Sequence, residues 1–175
     1  MGEPAVGLWD QIREALSAVY AEIQRSSADE HTQLVTWLAQ AGRAEHGLSV
    51  QILQIIPAIP YEQFRRRLEV MARDDAQHAT FIQEHLGPLG GTAGDARQAS
   101  EAMKNNLPSG PWQRLQQVLT VKRELYERYR QAASLADDAD VRALVEWLHN
   151  DEARHQEELI TMLTQLDAHV HETIA

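Results

Sequence analysis

The chain of 175 residues contains no cysteine, and only 6% of its residues are aromatic. The absence of thiols excludes disulfides, thiolate nucleophiles, cysteine-ligated zinc sites and iron–sulfur clusters. Nine glycines and six prolines leave few breaks in the chain, and this composition favours helices over sheets. The length suits one compact domain, and a hydrophobic fraction of 43% is enough for a real core.

Positive charge is also scarce, because 16 lysine and arginine residues face 26 aspartate and glutamate residues and leave a formal charge of -10. Such a chain would repel a phosphate backbone, so we expect no nucleic-acid partner. No apolar run approaches the length of a membrane span, and the early acidic residues Glu3 and Asp10 argue against a signal peptide. The sequence therefore predicts a soluble, cytoplasmic protein with no membrane partner.

Apolar residues recur at helical spacing in four long segments, and strand-like alternation is nowhere sustained. Pro57 and Pro60 stop the first segment, a glycine-rich run after Leu86 ends the second, and Pro111 opens the third. Short connections within each pair of helices and a long one between the pairs predict two antiparallel hairpins joined by a crossover. The fold class is therefore all-α, with long helices over about residues 27–56, 61–86, 111–136 and from about 140 to near the carboxyl end.

The chain before the first long helix also carries an apolar stripe, which predicts a leading helix over about residues 8–24. A short helix over about residues 96–104 is expected within the long connection. We therefore divide the chain into an N-terminal helical extension, residues 1–26, and a four-helix bundle, residues 27–175.

Each apolar stripe turns acidic at mid-length when the helices are drawn on a wheel at about 100° per residue. A buried carboxylate without a partner costs several kcal/mol, so four of them in one core require a counter-charge. The acids could pair with basic residues or reach solvent. However, the apolar stripes contain no lysine or arginine at mid-length of the helices, where the acids lie. The residues concerned are Glu45 in the first helix, Asp75 and His78 in the second, Glu124 near the edge of the third, and Glu152 and His155 in the fourth.

Metal is the remaining counter-charge, because divalent cations bind carboxylate oxygen and imidazole nitrogen. Four carboxylates would balance two divalent ions, and the i, i+3 spacing of each acid and histidine pair places both donors on one helix face. One acid from each of two helices and an acid-x-x-His pair from each of the other two form the di-metal constellation of helix bundles.

On these residues the sequence resembles the ferritin-like superfamily, and within it the rubrerythrin-like and bacterioferritin-like diiron proteins, over about residues 30–170. The doubled acids Asp74-Asp75 and Asp151-Glu152 look like those of rubrerythrins, although Asp75 is one methylene shorter than the usual glutamate. That difference puts the occupancy of one metal position in question. The resemblance implies Glu45 and Glu124 as terminal ligands, Asp75 and Glu152 as bridges, His78 and His155 as caps of one metal each, and Glu127 as an additional ligand.

The resemblance further implies a rubrerythrin-type oxidoreductase that reduces hydrogen peroxide or dioxygen at two iron ions, with manganese or mixed centres as alternatives. Its electrons would come from an external donor, because the chain lacks the four cysteines of a rubredoxin module. The alternatives are a ferroxidase for iron storage, a di-metal oxygenase acting on an organic substrate, and a metal-binding or structural module without activity. We expect a homo-oligomer, preferably a dimer, and Tyr129 could hydrogen-bond a ligand or simply fill the core.

Overall fold

The computed structural model describes residues 30–91 and 110–172, with side chains described as far as residue 165. These residues form four long helices and one turn of 3-10 helix, and they contain no strand. The predicted helices over residues 8–24 and 96–104 lie outside the described residues. Helix α1 covers Glu30–Ile55 and is followed by the 3-10 turn Ile56–Ala58, while α2 covers Glu62–Leu86, α3 covers Pro111–Leu135 and α4 covers Ala139–Glu172.

The ends of the helices follow from local chemistry. Pro57 lies in the 3-10 turn after α1, and Pro111 is the first residue of α3, where its missing N–H costs nothing. Asp138 Oδ1 accepts hydrogen bonds from the backbone N–H groups of Asp140 at 2.9 Å and Val141 at 3.0 Å, and so caps α4. After α2 the chain turns through Gly90, whose φ of 77° lies in the left-handed region that glycine tolerates.

The helices form two hairpins, because α1 packs along α2 and α3 packs along α4. Contacts between α1 and α3 and between α2 and α4 close the four-sided bundle. Gly42 lets α1 and α2 approach closely, since a Cβ atom there would lie 3.2 Å from Ile82 Cγ2. The predicted all-α bundle of two hairpins is confirmed, and no helix of the described residues is long and apolar enough to cross a membrane.

Aliphatic side chains fill the bundle at both ends of its core. Leu38, Leu68, Leu115 and Leu148 are examples, each with 0% of its surface exposed. At mid-height the buried side chains become polar and charged, and this layer contains the candidate functional site.

Candidate metal centre

Six polar side chains from all four helices meet at mid-height of the bundle. Each is fully buried, so water cannot solvate its charge. Buried charges are costly unless they are paired or bound to a metal, so the partners of each atom indicate what the cluster can do. The six are Glu45 of α1, Asp75 and His78 of α2, Lys122 of α3, and Glu152 and His155 of α4.

Four of these side chains could hold one metal ion. One atom from each of Glu45, Asp75, His78 and Glu152 can be chosen so that all four lie within 4.8 Å of one another. Ligand atoms on opposite sides of an ion are about 4 Å apart when the bonds are about 2 Å long, so small side-chain shifts would close the group around one cation. We call these four residues the acidic group.

The acidic group also has unused ligand atoms. Among the described residues, four buried atoms of this group have no hydrogen-bond partner: Glu45 Oε2, Asp75 Oδ2, His78 Nδ1 and Glu152 Oε2. Buried polar atoms are normally hydrogen-bonded, and such an atom usually has a specific explanation. A divalent cation would satisfy all four atoms at once, so the donor set fits a metal.

His78 is oriented for this role by an acid on another helix. Its Nε2 atom lies 3.1 Å from Asp151 Oδ2 of α4. A carboxylate can only accept a hydrogen bond, so Nε2 is the donor and Nδ1 faces the acidic group, 3.5 Å from Glu45 Oε1. Carboxylates in this position commonly orient histidine ligands of metals.

The ammonium group of Lys122 lies directly beside the acidic group. Its Nζ atom donates hydrogen bonds to Asp75 Oδ1 at 2.8 Å and Glu152 Oε1 at 2.9 Å, and lies 3.1 Å from His155 Nδ1. An ammonium has three N–H donors, and these three partners use all of them. Burial would lower the pKa of Lys122, but the charges of Asp75 and Glu152 raise it, so Lys122 is a cation in the folded protein.

His155 also contacts an acid on the facing helix, and its ring stacks on that of His78 with the centroids 5.8 Å apart. Its Nε2 atom lies 3.3 Å from Asp74 Oδ2 of α2, so each histidine contacts the first acid of the doublet on the facing helix. Arg154 joins the two outer acids, with Nη2 at 2.8 Å from Asp74 Oδ2 and 3.1 Å from Asp151 Oδ1. The Nδ1 atom of His155 faces inward and accepts from Lys122.

Tyr129 lies two turns after Lys122 on the same face of α3 and contacts Glu45 of the acidic group. Its hydroxyl donates to Glu45 Oε1 at 2.6 Å, and the ring is fully buried against Trp37. Burial and the charges of Glu45 and Glu152 raise the pKa of Tyr129 well above its ordinary value. The phenol therefore keeps its proton and fixes the position of the Glu45 carboxylate, the interaction that the sequence left open.

The pKa values of the acidic group reflect burial and its neighbours. Burial raises the pKa of Asp75 to about 7 against the opposing charge of Lys122, whereas the charge of Lys122 outweighs burial and lowers the pKa of Glu152. Burial would lower the pKa of His78, but its interactions with Glu45 and Asp151 raise it to about 9. The metal-free His78 is therefore protonated at neutral pH, and a cation would have to displace that proton.

The structure does not bring every predicted ligand to this place. His155 lies in the cluster but is not a member of the acidic group, and its Nδ1 atom contacts Lys122. Glu124 is half-buried and is not a member of the acidic group, and Glu127 is exposed and pairs with Arg130 at 3.0 Å. The roles of Glu124 and Glu127 as ligands therefore stay predictions.

Comparison with known proteins agrees with this architecture. A family model described as a ferritin-like domain matches residues 55–168, which is more than half of the chain. The chain belongs to the ferritin-like domain family. Among solved structures this ferritin-like protein is similar to a dodecameric thioferritin, the bacterioferritin-related protein of Bacteroides fragilis, with 19% identity and a TM-score of 0.69. The similarity covers 92% of this chain and 98% of the other and concerns the fold, and a search of curated proteins finds no significant match.

One expectation about the ferritin-like core is wrong. The apolar stripes predict no basic residue at the level of the acids, yet Lys122 pairs there with Asp75 and Glu152. The signal was present in the sequence, because Lys122 follows Val118 by four residues and precedes Leu125 by three. A wheel centred between Val118 and Leu125 places it inside the stripe of α3.

Proposed function

We propose that this ferritin-like protein is a metal-dependent oxidoreductase that holds iron in the acidic group and reduces hydrogen peroxide or dioxygen. The observation that carries the proposal is the set of four fully buried side chains, each of which has one ligand atom without a hydrogen-bond partner among the described residues. Carboxylate oxygen and imidazole nitrogen suit iron and manganese. Bound iron would supply the change of oxidation state, and an external donor would return the electrons.

The protein's own residues position the side chains of the acidic group and exclude water from them. The acidic group is enclosed by apolar side chains of the bundle, and Asp151 fixes the ring of His78. Tyr129 and Lys122 hold carboxylate oxygens of the group through hydrogen bonds at 2.6–2.9 Å. Because the pKa values of both groups are raised, they keep their protons and orient carboxylates instead of acting as acids.

Stopped-flow spectroscopy of the reduced, iron-loaded protein tests this function. We expect oxidation of the iron when either hydrogen peroxide or dioxygen is mixed with the protein. Glu45→Ala should abolish the reaction by removing a ligand, whereas Glu69→Ala, an exposed acid on α2, should leave it unchanged. An iron-loaded protein that is inert to both oxidants would contradict the proposal.

Iron storage is the second candidate, because the structural neighbour is described as a dodecameric thioferritin. Storage requires a closed shell of many chains, in which incoming ferrous iron, the substrate, would be held by the same acidic group and oxidised by dioxygen or hydrogen peroxide. Light scattering after size-exclusion chromatography separates the two functions. A particle of twelve chains or more that retains a mineral core would support storage, whereas a dimer without a core would exclude it and agree with the oxidoreductase.

A further inference from the structure

We propose that each chain binds a single metal ion, and that the ammonium group of Lys122 takes the place of the second cation of a di-metal centre. The inference rests on the proposed binding of metal by the acidic group. It replaces the expectation of two ions per chain with one ion and one fixed organic cation.

The first argument is the set of atoms that Lys122 contacts. The cluster has two similar halves, which share Asp75 and Glu152 and which each add one histidine that faces inward through Nδ1. In one half the Nδ1 atom of His78 has no hydrogen-bond partner. In the other half, Lys122 Nζ lies within 3.1 Å of an oxygen of each shared acid and of His155 Nδ1, the three groups expected to hold a second ion.

The second argument is the register of α3. Leu115, Val118, Lys122, Leu125 and Tyr129 follow one another at intervals of three and four residues, and all five are buried in the bundle. This is the stripe from which a helix-three ligand would have to reach the centre. The central position of this stripe is Lys122, a cation. Glu124 is turned about 200° around the helix axis from Lys122.

The third argument is the balance of charge. Glu45, Asp75 and Glu152 contribute three negative charges when all are ionised, and Lys122 neutralises one of them. One divalent ion neutralises the remaining two. A second divalent ion would leave two uncompensated positive charges in a buried layer, an arrangement that low-dielectric surroundings strongly disfavour.

A single ion has a consequence for the proposed chemistry. Reduction of one hydrogen peroxide molecule to two waters consumes two electrons and two protons. An ion that changes between the ferrous and ferric states supplies one electron, so the second would come from the external donor. The donor would then have to deliver an electron before each peroxide molecule is fully reduced, and not only afterwards to restore the ferrous ion.

The test counts Mn²⁺ ions, so it does not depend on oxidation chemistry. We expect the wild-type protein to bind one Mn²⁺ per chain, by isothermal titration calorimetry and by elemental analysis after desalting. Lys122→Glu supplies a fourth carboxylate and should raise the count to two. Arg123→Glu makes the same change of charge at the next, exposed position of α3 and should leave the count at one.

Two ions per wild-type chain would overturn the inference, and this result needs no variant to fold. A folded Lys122→Glu protein, verified by circular dichroism, that still binds one ion would overturn it as well. No ion in the wild-type protein would overturn the metal site on which the inference rests. One ion in a protein that is inert to peroxide and dioxygen would instead refute only the proposed function.

Discussion

Removal of the Lys122 ammonium should destabilise the metal-free protein strongly. In Lys122→Met the apolar stem is kept, but Asp75 and Glu152 each lose a hydrogen bond of 2.8–2.9 Å and their shared counter-charge. Breaking a buried ion pair by removing one partner costs about 3–5 kcal/mol, because the remaining charge is left without compensation. We therefore expect the free energy of unfolding in excess EDTA to fall by about that amount relative to wild type.

Denaturant unfolding followed by circular dichroism measures this loss. Arg123→Met is the matched control, since the same change at the exposed neighbouring position should stay within about 0.5 kcal/mol of wild type. Saturating Mn²⁺ should restore much of the stability of Lys122→Met, because a second cation can then neutralise Asp75 and Glu152. A metal-free Lys122→Met protein within about 1 kcal/mol of wild type would refute the buried pairing, whose loss should cost at least about three times as much.

Three further outcomes follow from the surroundings of the acidic group. Tyr129→Phe should lower the free energy of unfolding of the metal-free protein by about 1.5–3 kcal/mol, because Glu45 loses a buried hydrogen bond; an unchanged unfolding curve would contradict this. Asp151→Ala should weaken Mn²⁺ binding by about 10–100-fold through loss of His78 orientation, whereas Asp74→Ala should change it little; equal losses would speak for two occupied halves. Mn²⁺ affinity should rise at least about tenfold from pH 7 to 8, since the His78 proton with a pKa of about 9 must leave. The part of the Asp75 population that is still protonated, with a pKa of about 7, adds to this rise, and a flat titration curve would disagree.

The helices of the bundle were predictable because their ends depend on local signals. Pro111 begins α3 as expected, and α2 begins at Glu62, one residue after the predicted start. The centres of the stripes were equally informative, because Glu45, Asp75 and Glu152 each interrupt an apolar stripe at mid-length, the last two with a histidine one turn on. These features are properties of single helices, and helical periodicity is enough to find them.

The partners across the bundle could not be obtained from single helices. Asp74 and Asp151 each contact the histidine of the facing helix, which depends on how α2 and α4 lie against each other. An α3 stripe defined only by apolar residues, such as Val118, Val121 and Leu125, leaves Lys122 outside the expected core. A lysine on an apolar stripe normally directs its charge to solvent, so only the facing acids explain its burial.

The central claim is that the acidic group binds one metal ion, and anomalous diffraction from crystals of the Mn²⁺-loaded wild-type protein tests it most directly. We predict one anomalous peak per chain, bounded by Glu45, Asp75, His78 and Glu152, with the ammonium of Lys122 still hydrogen-bonded to Asp75. No peak at these four residues would contradict the metal site. A second peak in the position of the Lys122 ammonium would contradict the single-ion centre.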